Sequence, residues 1–249
     1  MAEQEVYELY YWPSIPGRGE FPRLVMEDAG VAYVDVAREG PEGMQRLMQV
    51  LSGEAGTPRP FAPPVLRMGG QLIAQSPWIT ALLAERHGLA PATAAHRRTA
   101  MQLQLTLADL VDEAHDTHHP LGPELYYEEQ KDAAQRRAEN FRRQRLPKFL
   151  GYVESVLQAN QAAGGYGMVG PDISYVDLSL FHVLDGLAFA FPNAFAAQRA
   201  QIPRALGVRD RVTERPRMAA YLASPRRLPF NADGIFRHYP ELDDEQRGI

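Results

Sequence analysis

The spacing of apolar and polar residues changes character along this chain and divides it into two parts. Val6 to Trp12 is β-branched and aromatic, the composition of a strand, and breaks at Pro13 through Gly19 into a loop. Phe21, Leu24, Val25 and Ala29 then recur at helical spacing until Gly30 stops them, and Ala32 to Ala37 alternates as a second strand. Residues 41–51 predict a short Met-rich helix, and 52–62, crowded with Gly, Ser, Pro and Thr, predict a loop. Pro64 to Ser76 reads as strand, tight turn at Gly69-Gly70, strand and helix start. Ser76 is the expected N-cap there, with Pro77 at the first helical position and a helix running to about His87. A β-α-β segment followed by β-β-α is a compact α/β unit.

Gly88 to Thr93 reads as a linker, and everything after it reads as helix. Leu103, Leu105, Leu107, Leu110 and Val111 belong to one long pattern ending at Pro120, and Tyr126–Arg145 and Pro147–Asn160 extend the series. Ser174-Tyr175-Val176-Asp177 is a capping-box variant ahead of Leu178, Leu180, Phe181, Val183, Leu184 and Leu187, a stretch apolar on every face and so expected to be buried. A last helix is expected around Glu214–Ala223. The tail beyond it has no period and is expected to pack as irregular coil or to fray.

Composition narrows the chemistry. With 249 residues and 45% apolar content, the chain can bury a sizeable core in one or two domains, and no apolar run approaches a membrane span. The N-terminus, Met-Ala-Glu-Gln-Glu, lacks a basic stretch followed by a hydrophobic segment, so a cytoplasmic protein is the expectation. A net charge of −5 with no Lys/Arg stripe argues against nucleic acid or an anionic membrane as partner. The basic run Arg136-Arg137, Arg142-Arg143 and Arg145 is interleaved with Glu139 and reads as a solvated helix face. The complete absence of cysteine excludes disulfides, thiolate-ligated metal and any mechanism using a thiol of the protein itself.

Candidate chemistry concentrates at the helix start after the hairpin. Its unpaired N–H groups, the Ser76 hydroxyl and the Gln75 amide together suit one carboxylate with a neighbouring amine. Asp112, His115 and His119 share a helix face, but three histidines at a helix C-terminus are also favourable against its dipole, and no metal is expected. Asp177 is expected to cap its helix with Ser174 rather than to act in catalysis.

Five stretches, in this order and spacing, resemble the cytosolic glutathione transferases: Tyr11-Trp12 with Arg18-Gly19, the Pro64 hairpin, Gln75-Ser76, Asp109-Leu110 and Ser174–Leu178. The segment Arg215–Pro225 resembles the last helix of that family as well. The resemblance implies a thioredoxin-like α/β N-terminal domain over 1–87, a linker at 88–93 and an all-α C-terminal domain over 94–249. It also implies an enzyme that takes glutathione as co-substrate, activates its thiol for attack on a small hydrophobic electrophile, and works as a cytoplasmic homodimer in detoxification.

The implied site residues follow the motifs. Tyr11, followed by an aromatic residue, matches the thiol-activating tyrosine of the mu, pi, alpha and sigma classes, with Ser14 as the runner-up by analogy with serine-type classes. Tyr10 should point to the other side of the strand. Trp12, Arg59, Pro63, Pro64, Gln75 and Ser76 are the implied glutathione-binding residues, joined by Asp109 from the partner subunit. Arg59 is the candidate for the glycyl carboxylate, and His115 and His119 are the candidates for the electrophile pocket. Two departures stand out. Pro63 has no N–H to offer the cysteinyl unit, and Ala62 replaces a polar residue. These leave open a non-catalytic binding module on the same fold, or a glutathione-dependent isomerase, ether-cleaving enzyme or peroxidase.

Overall fold

The computed structural model describes residues 6–244, and the acidic N-terminal segment read above lies outside them. Two compact units emerge: the chain up to Ala90 with Glu214–Pro229, and Pro91–Thr213 with the chain from Phe230. In the first, β1 (Tyr7–Tyr10), α1 (Glu20–Ala29), β2 (Tyr33–Asp35), α2 (Gly43–Ser52), β3 (Val65–Met68), β4 (Gln71–Ala74) and α3 (Ser76–Arg86) follow in sequence. The sheet order is β2-β1-β3-β4, with β1 parallel to β2 and antiparallel to β3, and β3 antiparallel to β4. Strand β2 is shorter than its alternation suggested, because Val36–Arg38 tightens into a 3-10 turn. Tyr10, Val36, Ala37, Leu47, Val50 and Val65 form a core cluster between sheet and α2, so Tyr10 is a packing residue as its position on the strand requires.

Residues 214–229 group with this unit and not with the helical domain to which sequence order assigned them. The reason is electrostatic. Around α10 (Pro216–Leu222), Arg215 forms a bidentate pair with Asp28 at 2.7 Å, Arg226 holds Glu27 at 2.8–3.0 Å, and Arg217 donates to the carbonyls of Asp28 and Ala29 at the end of α1. Tyr221 donates to the fully buried Glu20 at 2.7 Å, and Arg227 pairs with the same carboxylate. Charges placed far along the chain therefore cap and neutralise the first helix.

The second unit is helical: α4 (Ala94–His115), α5 (Lys131–Asn140), α6 (Leu146–Ala162), α7 (Tyr175–Ala190), α8 (Pro192–Gln198), α9 (Pro203–Glu214) and α11 (Pro240–Asp243). Helix α7 is buried along nearly its whole length, as its all-round apolar pattern predicts. Its capping box is complete. The Asp177 carboxylate accepts from the Ser174 N–H at 2.8 Å and from the Met168 N–H at 2.7 Å, which accounts for a fully buried acid by structure alone. Helix α4 ends at His115, short of Pro120, and Leu105 is half exposed, so it is not part of the core its neighbours form.

The tail does not fray over the described residues. Ile235, Phe236 and Leu242 are buried, Tyr239 stacks on Tyr127 at 3.9 Å, and Asp243 accepts from the N–H groups of Asn193 and Ala194 at the start of α8. The His118 Nε2 lies 2.8 Å from the Ile235 carbonyl and must donate to it, which leaves a neutral ring with Nδ1 buried and unpaired.

Burial pushes His118 down to about 3. Between that value and the ordinary 6.5 the unfolded chain binds a proton that the folded chain refuses. Stability contributed by the neutral ring is thus complete above pH ~6.5 and is lost as the pH falls toward ~3, at up to ~1.4 kcal/mol per unit. Urea unfolding at stepped pH should show this slope in the native protein. In a His118→Asn variant it should be shallower by about one proton.

Candidate active site

One end of the sheet carries Tyr11, Pro64, Gln75 and Ser76. Tyr10 pairs with Val65, and Val65 with Ala74, so these three form a row across β1, β3 and β4. The next residues outward are Tyr11 after β1, Pro64 before β3, and Gln75-Ser76 after β4. With strands about 4.8 Å apart, the register places the backbones of Tyr11, Pro64 and Gln75 within about 10 Å of one another.

Tyr11 is 3% exposed. Its hydroxyl oxygen accepts the Arg18 N–H at 2.8 Å, and Gly17 and Gly19 give the ring its room. A Cβ on Gly19 would stand 2.5 Å from the ring, and one on Gly17 would collide with the hydroxyl, while Gly17 also has φ +45°. The Arg23 guanidinium lies 5.6 Å over the ring and donates to the Pro16 carbonyl at 3.2 Å, tying down the loop that carries Arg18. Burial pushes the Tyr11 phenol above the ordinary tyrosine range, opposed by the Arg18 N–H and by the charges of Arg18 and Arg23. The phenol is therefore protonated at neutral pH. Its oxygen already accepts, so the proton is available to a second partner.

Beneath Tyr11 lies a charge cluster that the sequence reading missed. Arg23 is fully buried, bonded to Asp35 at 2.7 Å and to Glu20 at 3.4 Å. The carboxylates hold the guanidinium above the ordinary arginine range despite burial. Its only signal was an acid and an arginine three apart in the first turn of α1.

At the helix start the structure shifts one assignment. Helix α3 begins at Ser76, so Gln75 is the N-cap, Pro77 is the second helical residue, and no side chain caps the turn. Gln75 is exposed with φ 73° and ψ 108°, a rare conformation for a non-glycine residue. Buried Ser76 accepts a bond from the Thr80 hydroxyl at its carbonyl. No side chain caps the first-turn N–H groups.

Other candidates sit as follows. The Pro63-Pro64 bond is cis, Pro64 is buried, and Pro63 presents a carbonyl but no N–H. Trp12 is half-buried against the core cluster around Tyr10, Ser14 is exposed, and exposed Arg59 lays its aliphatic stem against Gly53. In the helical unit, Asp109 is exposed on α4. His115 and His119 stack at 5.1 Å, and His119 Nδ1 meets the Gln130 amide at 3.2 Å. Burial, with Arg237 nearby, lowers the His119 pKa. Among the described residues no group of three or more His, Cys, Asp or Glu side chains could hold a metal ion, and no helix is long and apolar enough to cross a membrane.

Comparison with known proteins agrees with this geometry. Residues 115–225 match the family model described as the glutathione S-transferase C-terminal domain. The chain is 27% identical over 220 residues to glutathione S-transferase P 10 of Caenorhabditis elegans, covering 87% of this chain and 90% of that protein. It is 24% identical over 191 residues to a glutathione S-transferase of Plasmodium falciparum, covering 75% and 82%. Among solved structures, a pi-class glutathione S-transferase of Onchocerca volvulus superposes with a TM-score of 0.70 at 22% identity, covering 92% of this chain and 99% of that one. A monomeric glutathione S-transferase of Necator americanus gives 0.62 at 19% identity, covering 91% and 100%. An α/β unit and an all-helical unit make up the fold of those glutathione S-transferase structures. The chain is thus similar to the glutathione S-transferases in sequence over residues 115–225 and in fold over most of its length.

Proposed function

We propose that this protein is a glutathione transferase in which the Tyr11 hydroxyl donates a hydrogen bond to the glutathione sulfur and favours its thiolate for attack on a small hydrophobic electrophile. The observation that carries the reading is the Tyr11 oxygen accepting the Arg18 N–H at 2.8 Å, which fixes the phenol and leaves its proton to give. A free thiol near pKa ~8.5 is mostly neutral at pH 7, and only the anion is a strong nucleophile. Ser14, exposed on the loop, is the alternative donor.

Gln75 and Ser76, with the first-turn N–H groups of α3, are assigned to the γ-glutamyl carboxylate and amine. Pro63 offers its carbonyl to the cysteinyl unit, Trp12 and Pro64 line that subsite, and Arg59 is assigned to the glycyl carboxylate. His115 and His119 are assigned to the electrophile pocket. Ser76→Ala is expected to raise the KM for glutathione about tenfold with kcat little changed, because the lost bond holds ground and transition states alike. Steady-state kinetics at varied glutathione measures it, and a fall in kcat alone would contradict the assignment.

The working form is proposed to be a cytoplasmic homodimer in which Asp109 reaches the γ-glutamyl amine of the other subunit. Supporting this, Asp109 and half-exposed Leu105 share the exposed face of α4, and Phe61 and Trp78 are exposed on the first unit. A second reading, a binding module without turnover, is favoured by the missing Pro63 N–H. Glutathione affinity and conjugation of an aryl halide, measured together, decide between them: binding without turnover supports the module.

A further inference from the structure

The basic run that read as a solvated helix face is not uniform once folded. Arg145 grips Glu113 through contacts of 2.6–3.0 Å, Arg137 approaches the same acid at 3.8 Å, and Arg143 pairs with Glu139 at 3.2 Å. Arg142 differs. Among the described residues it has neither a carboxylate within ion-pair distance nor a hydrogen-bond acceptor, and its Nε–H is sealed from solvent. The outer edge of the guanidinium is likewise without an acceptor and stays open to one from outside the chain.

That side chain lines a concavity of about 190 Å³ whose other walls are Arg143, Ala194, Ala197 and Gln198. Two guanidiniums, one amide and small apolar groups face it, and no carboxylate does. The acid at the start of α8, Asp243, is already engaged by the Asn193 and Ala194 N–H groups. The backbone also changes here. Phe141–Arg145 winds as a π-helical turn between α5 and α6, a local widening that recurs at functional sites.

We propose that this concavity binds a small oxyanion, a phosphate group or a short carboxylate, through Arg142 with Arg143 and Gln198. The planar fork of an unpaired arginine suits two parallel N–H···O bonds to such a group. Its volume lies below the ~300–1,000 Å³ of pockets for drug-sized molecules, so it takes a small anion or the anionic end of a larger one. None of its residues belongs to the glutathione site, and the two assignments stand or fall separately.

Titrating the full chain with inorganic phosphate, and separately with acetate, at constant ionic strength tests it by amide NMR shifts. At least one anion should saturate the shifts of residues around Arg142, with half-saturation on the order of millimolar. Arg142→Gln should weaken binding about tenfold or more, and Arg142→Lys, which keeps the charge without the fork, should fall between. Arg136→Gln, at an exposed arginine of the same run outside the concavity, should bind as the native protein does. No saturable response to either anion, or an unchanged midpoint in both Arg142 variants, would overturn the proposal.

Discussion

A Tyr11→Phe enzyme is expected to need a pH about two units higher than the native enzyme to reach half of its maximal kcat/KM. One charge-assisted hydrogen bond to sulfur is worth ~1.5–3 kcal/mol, and two pKa units correspond to ~2.7 kcal/mol, so a single donor can account for the shift. If the thiol moves from ~6.5 back to ~8.5, the thiolate fraction at pH 7 falls about 25-fold. The rate falls less. A less stabilised thiolate is the better nucleophile, and with a Brønsted coefficient of ~0.4–0.5 this returns a factor of about 8 over two units. The net loss is then roughly threefold at pH 7 and about tenfold at pH 6, vanishes near pH ~7.6, and gives way to a faster variant above that pH. A loss that is constant with pH would point to misplacement of the substrate and not to loss of the proton donor. Since Arg18 N–H holds the phenol oxygen and the glycines leave only the ring's own space, Phe fits without rearrangement.

The second large effect concerns stability. Arg23→Met is expected to cost ~3–5 kcal/mol, the usual penalty for removing one partner of a buried ion pair. Met fills much of the volume but leaves Asp35 with only Arg38 at 3.6 Å, while buried Glu20 keeps Arg227 and the Tyr221 hydroxyl. The Pro16 carbonyl also loses its donor, so the loop that presents Arg18 to Tyr11 should loosen, and activity should fall together with stability. The urea midpoint of the first unfolding transition, compared among the native protein, Arg23→Met and Arg23→Lys, measures the penalty. Lys restores the charge but cannot reach Asp35 and Pro16 together, so an intermediate midpoint is expected. A shift under ~1 kcal/mol in the Met variant would show that the cluster carries little of the stability.

Much of the site was legible because it depends on short-range signals. The Gly69-Gly70 hairpin and the turn residues around it fix the register of β3 and β4, and that register carries Gln75 and Ser76 to the same sheet end as Tyr11. The capping box at Ser174 could be read for the same reason, since both partners lie within four residues. What escaped depends on distance along the chain. Nothing local to Glu20, Glu27 or Asp28 announces that Tyr221, Arg215, Arg226 and Arg227 will neutralise them, nor that residues 214–229 therefore leave the helical unit. The ordered tail escaped likewise, because His118, Tyr127 and Asn193 hold it through single contacts that leave no periodic trace. The one-residue shift at Ser76 came from Gln75 taking a backbone conformation usually left to glycine.

The most direct measurement is a spectroscopic titration of the thiolate of bound glutathione in the native protein, Tyr11→Phe and Ser14→Ala. A half-ionisation near pH ~6.5 in the native protein and in Ser14→Ala, moving to ~8.5 in Tyr11→Phe, is the predicted result. A native midpoint preserved in Tyr11→Phe, or one displaced by Ser14→Ala instead, would contradict it.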